Sequence, residues 1–154
     1  MPFIEVVGEN IFTTEAQAIA VAVNCRGVAG AGLAYEARKR YPAWFEEYRQ
    51  QCRSMRIYPN LPMTLFRESE PWLINFPTKV EWQEPSTYEY LMAGILQLEQ
   101  LVKQEGLTSV ALPKLGCGLG GLPWRSRKGI QGIRELLTEP GNLKRLDCTF
   151  YLYE

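Results

Sequence analysis

The chain contains no histidine. That absence removes Ser-His-Asp and Cys-His catalysis, the histidine-based zinc motifs and the side chain that ordinarily titrates near pH 7. Any chemistry must fall to Lys, Asp, Glu, Cys or Tyr. Cysteine is sparse: Cys25, Cys52, Cys117 and Cys148 form no Cys-x-x-Cys pair and no zinc-like spacing, so free thiols, no metal and no cofactor are expected. Apolar runs such as residues 18–23 and 110–112 fall far short of the roughly 20 residues of a membrane helix. The amino terminus lacks the basic start and apolar stretch of a secretory signal, which predicts a cytoplasmic protein with no membrane partner. Net charge is missing too, since 17 basic residues balance 17 acidic ones. No long-range field then draws the molecule to nucleic acid, and a DNA substrate would need a local basic rim.

What is present reads as one globular domain over residues 1–154, with 46% hydrophobic and 22% charged residues. No repeat or linker divides it. Residues 3–7 alternate as a strand, and Thr14 is placed to cap a short helix through Gln17. Residues 18–23 are continuously apolar, as suits a central strand covered on both faces. A glycine loop, residues 24–32, leads to a helix from Leu33 that stops before Pro42, and residues 43–55 form a second helix. Residues 63–67 and 72–76 read as strands turned around residues 68–71. Residues 87–104 place Tyr90, Leu91, Gly94, Ile95, Leu98, Leu101 and Val102 on one helical face, ended by Gly106. A strand at residues 109–113, a second glycine turn at 114–121, a helix over about 124–137 and a last strand at 146–153 complete the order. The expected class is α/β, a mixed sheet with helices on both faces.

Both glycine loops follow strands, where open α/β sheets bind ligands. Glycine lets backbone approach a ligand, and N–H groups at a helix start attract phosphate, so two such loops can grip a diphosphate; they can also simply make tight turns. Gly27-Val-Ala-Gly-Ala-Gly lacks the dinucleotide-binding order, and Gly116-Cys-Gly-Leu-Gly-Gly-Leu lacks the Lys-Ser/Thr ending of a P-loop.

Val23-Asn-Cys-Arg-Gly-Val-Ala-Gly-Ala-Gly-Leu-Ala and Leu112-Pro-Lys-Leu-Gly-Cys-Gly-Leu-Gly-Gly-Leu-Pro-Trp resemble the two ADP-ribose loops of macrodomains. Asn75-Phe-Pro-Thr-Lys-Val-Glu-Trp is similar to the DarG branch, macrodomains that remove ADP-ribose from thymidine in DNA. The resemblance implies a single macrodomain, three-layer α/β/α with a mixed central sheet. It implies that Asn24 holds the distal ribose, that Gly30, Ala31, Gly32 and Leu33 approach the ribose and diphosphate, and that Gly116, Cys117, Gly118, Leu119, Gly120 and Gly121 close the other side. Asn10 and Ile11 match the adenine contact, where many macrodomains carry an Asp instead of Asn10, and Tyr151 matches an aromatic that stacks on adenine. Tyr151 also fits a plain core or surface role.

The same resemblance makes Lys79 the catalytic residue, its amine acting on the anomeric carbon of the distal ribose. Protein-directed relatives pair this lysine with an aspartate where this chain has Gly120. That difference favours a DNA substrate, with Glu81 and Glu84 as weak helpers that otherwise belong to solvent. Trp82 is placed to stack on an extruded thymine or to cover the core edge, and Arg26 and Arg125, with Arg127 and Lys128 nearby, are candidate DNA contacts or a solvated face. Cys25 and Cys117 read as packing residues. The leading expectation is an ADP-ribosyl glycohydrolase acting on thymidine-modified single-stranded DNA. Its partners would be ADP-ribose, ADP-ribosylated single-stranded DNA and an ADP-ribosyltransferase toxin, and it would act as a monomer. A glutamyl-ADP-ribose hydrolase acting on protein and a non-catalytic ADP-ribose reader are the alternatives.

Overall fold

The computed structural model describes residues 2–154. Six strands form one sheet in the order β1-β6-β5-β2-β4-β3: β1 (Phe3–Val6), β2 (Ala18–Val23), β3 (Thr64–Phe66), β4 (Trp72–Pro77), β5 (Ser109–Leu112) and β6 (Thr149–Tyr153). All neighbours are parallel except β3, which pairs antiparallel with β4 at the edge. Helices α1 (Gly32–Arg40) and α2 (Pro42–Arg53) pack on one face, and α3 (Tyr88–Glu105), α4 (Ile133–Thr138) and α5 (Gly141–Lys144) on the other. The expected three-layer α/β/α architecture with a mixed sheet is what the chain adopts.

The central strand shows why the apolar run at β2 does not alternate. Ala18 and Ala20 face the α3 layer, whereas Ile19, Val21 and Val23 face α1 and α2. The small residues let α3 sit close to the sheet, and Gly94 carries this furthest: a Cβ there would lie 2.5 Å from the Phe76 ring. Leu91, Ile95, Leu98, Leu101 and Val102 of α3 are buried along the same stripe, each contributing about 1.5–3 kcal/mol over exposure. Thr87 caps α3 by accepting from Tyr90 N at 3.1 Å, and Gly106 ends it at φ 62.

Two expected elements differ. Thr14 starts no helix; its Oγ1 accepts from Ala16 N at 3.2 Å, while Gln17 N is held by Ser109 Oγ at 2.8 Å, which commits the chain to β2. The short helix lies before it, a 3-10 turn at Ile11–Thr13 capped by Asn10, whose Oδ1 accepts from Phe12 N at 2.9 Å. The helix expected over 124–137 forms only from Ile133. Lys128 and Gly129 take φ of 51 and 78, outside helical space, and a Cβ on Gly132 would fall 2.2 Å from Ser126 N. Residues 124–132 therefore fold back on themselves.

Candidate functional site

Parallel strands leave their carboxyl ends on one edge of the sheet, and the loops after β2, β4 and β5 meet there around a cleft of about 640 Å³. The sequence placed Asn24, Gly30, Ala31, Gly32, Leu33, Lys79, Trp82 and the run from Gly116 to Gly120 at a ligand site, and all of them line this cleft. Asn10, Ile11, Gly121, Tyr151, Arg26 and Arg125 lie outside its lining. Asn10 spends its side-chain oxygen as a cap, Ile11 is buried, and Tyr151 is half-buried on β6.

The first loop is shaped from within by Asn24. Its Oδ1 accepts from Arg26 N at 2.9 Å and Val28 N at 3.3 Å, and its Nδ2 donates to Val28 O at 2.7 Å. One amide hydrogen remains for a ligand. From below, the Tyr48 hydroxyl of α2 lies 2.7 Å from Asn24 O and 3.0 Å from Oδ1. Burial raises the Tyr48 pKa well above its ordinary value, so it stays a donor. The loop then enters α1 through Ala31, an N-cap that makes no side-chain cap hydrogen bond. The first N–H groups of α1 are thus left open beside the cleft, where the helix end is partially positive.

The second loop is the complementary wall. Its bonds run from Cys117 N to Lys114 O, Gly121 N to Cys117 O and Gly118 O, and Leu122 N to Gly116 O. Among the described residues, the N–H groups of Gly118, Leu119 and Gly120 meet no protein acceptor. Two sets of uncommitted donors therefore face one cleft, and the lining contains no Asp or Glu. An anion with several oxygens suits these donors, since backbone N–H groups bind it without the desolvation cost of burying a second charge.

Lys79 lies on the turn after β4, fastened to the first loop: Thr78 N donates to Val23 O at 3.0 Å, Cys25 N to Val80 O at 2.9 Å and Cys25 Sγ to Lys79 O at 3.4 Å. Burial pushes the Cys25 thiol up to about 12. This cysteine works as a donor that positions the Lys79 backbone, a role the sequence reading missed. Lys79 is half-buried as a residue, and its amine donates to Trp82 O at 3.4 Å in an exposed contact. The Asn75 end of the same motif is structural: Trp44 Nε1 donates to Asn75 Oδ1 at 2.9 Å, and Asn75 Nδ2 donates to Thr64 Oγ1 at 2.8 Å.

Gly120 has no room for a side chain. A Cβ there would lie 2.4 Å from both Gly116 O and Ser86 Oγ. Ser86 and Lys114 also line the cleft and were not singled out from sequence; Ser86 N donates to Gly120 O at 3.0 Å, and its buried hydroxyl has no partner among the described residues. Of the two arginines expected at a basic rim, Arg26 is paired with Glu81 through Nε at 2.7 Å and Arg125 with Glu154 at 3.0 Å, both with exposed side chains. The Arg26 guanidinium holds the Glu81 carboxyl below its ordinary value. Among the described residues no cluster of three or more His, Cys, Asp or Glu could hold a metal, and no helix is long and apolar enough to cross a membrane.

The fold is thus a parallel-centred α/β/α sandwich in which two backbone loops face each other across the strand ends. Residues 20–130 match the family described as Macro domain, and the chain belongs to the macrodomain family. It is 33% identical over 118 residues to a DNA ADP-ribosyl glycohydrolase of Mycobacterium tuberculosis, a match covering 75% of this chain and 34% of that protein, so the match spans about a third of the relative's length. Among solved structures, the macrodomain of Mycobacterium tuberculosis DarG superposes with a TM-score of 0.85 at 29% identity, covering 97% of each chain. Thermosipho africanus DarTG in complex with ADP-ribose gives 0.82 at 28% identity, covering 94% of this chain and 39% of that one.

Proposed function

We propose that this cleft binds ADP-ribose and that the protein removes it from thymidine in single-stranded DNA, opposing an ADP-ribosyltransferase toxin. In this reading the open N–H groups of α1 and of the second loop hold the diphosphate, the free amide hydrogen of Asn24 meets the distal ribose, and Asn10, Ile11 and Tyr151 serve the adenine end. Lys79 reacts through its unprotonated amine. Its lone pair forms a bond to the anomeric carbon as the glycosidic bond breaks and the base leaves with the electron pair. Water then hydrolyses the lysine adduct and restores the amine. Trp82, 53% exposed beside Lys79, offers a face on which the base stacks.

The observation that carries the choice of DNA over protein is Gly120. Protein-directed relatives carry a carboxylate at that position, and here even a Cβ would meet Gly116 O and Ser86 Oγ at 2.4 Å. The names of the relatives support the same choice. The test offers purified protein both thymidine-ADP-ribosylated single-stranded DNA and glutamyl-ADP-ribosylated protein. Release from DNA alone is expected; release from protein alone would make it a protein hydrolase, and binding of ADP-ribose without release from either would make it a reader.

A further inference from the structure

The four cations that the sequence set around the glycine loops fall into two sets. Arg26 and Arg125 are paired with carboxylates. Arg127 and Lys128 are exposed and form no ion pair among the described residues. These two sit on a tight hairpin turn in which Arg127 N donates to Ile130 O at 3.1 Å and Ile130 N to Arg127 O at 2.9 Å. Both central residues, Lys128 at φ 51 and Gly129 at φ 78, lie in the left-handed region. Such a turn usually starts with Asn, Asp or Gly, so the lysine is held there against its own backbone preference.

The base of the turn explains how it is held. Gly132 N donates to Ser126 Oγ at 2.7 Å, Gln131 Nε2 to Gly132 O at 2.8 Å, and the Tyr88 hydroxyl to Gln131 O at 2.7 Å. Tyr88 opens α3 two residues after Ser86, which lines the cleft and bonds Gly120 O. The hairpin is therefore braced to the segment that backs the second-loop wall. Lys114, exposed and in no ion pair among the described residues, lines the cleft at the start of that same loop.

We propose that the Arg127–Lys128 turn is a docking point for the phosphate backbone of a single-stranded nucleic acid whose modified base enters the cleft. This rests on the DNA-directed reading of the cleft. With no net charge on the chain, phosphate attraction has to be local, and a braced tip loses little freedom on binding. Ile130, 55% exposed beside the two cations, adds an apolar contact for a sugar or base.

The test compares native protein with the double variant Arg127→Gln and Lys128→Gly. Glycine suits the left-handed position, so the fold is kept, and melting temperature is read alongside. Substrates are ADP-ribosylated thymidine as a mononucleoside and single-stranded oligonucleotides of increasing length bearing one modified thymidine. For long oligonucleotides at low salt, KM should rise about tenfold in the variant, and the slope of log KM against log salt should fall by about 1.4, the worth of two single-strand phosphate contacts. The kcat and the mononucleoside KM should not change. A KM unchanged at every length, an equal rise for the mononucleoside, or an unchanged salt slope overturns the proposal while leaving the cleft reading intact. If native protein releases ADP-ribose from none of these substrates, the cleft reading fails and takes this proposal with it.

Discussion

The Tyr48 hydroxyl reaches both oxygens of Asn24, the backbone carbonyl at 2.7 Å and the side-chain oxygen at 3.0 Å, so a fully buried helix residue sets the shape of the first loop. Tyr48→Phe should lower stability by about 1 kcal/mol, the net worth of one hydrogen bond. It should also weaken ADP-ribose binding several-fold. Denaturant melts with calorimetry check both, and an unchanged affinity would mean that Asn24 holds the loop alone.

Gly118 and Gly120 make opposite predictions. A Cβ on Gly118 meets nothing within 4 Å, whereas one on Gly120 meets two oxygens at 2.4 Å. Gly118→Ala should melt like the native protein. Gly120→Ala should lose about 1–3 kcal/mol, as overpacking does, and equal melting temperatures would show that the second loop yields easily.

Gly118→Glu is then the clean probe of the anion site, because it adds bulk and negative charge without backbone strain. The same change at Gly32, at φ 62, brings strain with it and is a poorer test. Calorimetry should show ADP-ribose affinity reduced at least about fivefold in folded Gly118→Glu, since two like charges at close range repel by at least about 1 kcal/mol even in water. Full affinity would remove the second loop from the ligand.

Lys79→Ala should abolish release of ADP-ribose while leaving its affinity within a few-fold, because an amine acting on the anomeric carbon contributes mainly to the transition state. Lys79→Arg, which keeps charge but supplies no neutral nucleophile, should be equally inactive. Native turnover by the arginine variant would assign Lys79 to charge stabilisation. Loss of binding together with turnover would make it a ligand-positioning residue.

The thiols set an alkaline limit. Burial pushes Cys25 up to about 12 and Cys52, Cys117 and Cys148 up to about 11, from an ordinary value of 9.0. The unfolded chain releases these protons first. Their contribution to stability is therefore complete below about pH 9 and is lost as pH climbs through the folded values. Melting temperature should fall across that window, and Cys25→Ala should flatten the part of the fall due to that thiol. A melting temperature independent of pH from 9 to 11 would contradict it.

The sequence carried those features whose cause is local. The unbroken apolar run of β2 and the stripe of α3 were legible because periodicity reports burial directly, and the two glycine loops and Lys79 were legible through their motifs. Residues 124–132 were not, because what breaks that helix is the packing of Gly132 against the Arg125 and Ser126 backbone. The partners of Arg26 and Arg125 were illegible for a similar reason, because only the fold brings Glu81 and Glu154 beside them. Ser86 carried no signal of its own, since it lies just before the helical stripe that begins at residue 87.

The first loop and the Lys79 turn continue two strands paired along their whole length, from Ala18↔Trp72 to Val23↔Pro77, and the Cys25 bonds carry that union past the end of the sheet. The cleft is consequently a vice with one fixed jaw. The opposite jaw is the second loop, where Leu119 stands 79% exposed and the amides of Gly118, Leu119 and Gly120 meet no protein acceptor among the described residues. Amide hydrogen exchange should be slow at Cys25 and Thr78 and fast from Gly118 to Gly120, which would assign the opening of the cleft to the glycines and leave the lysine turn still.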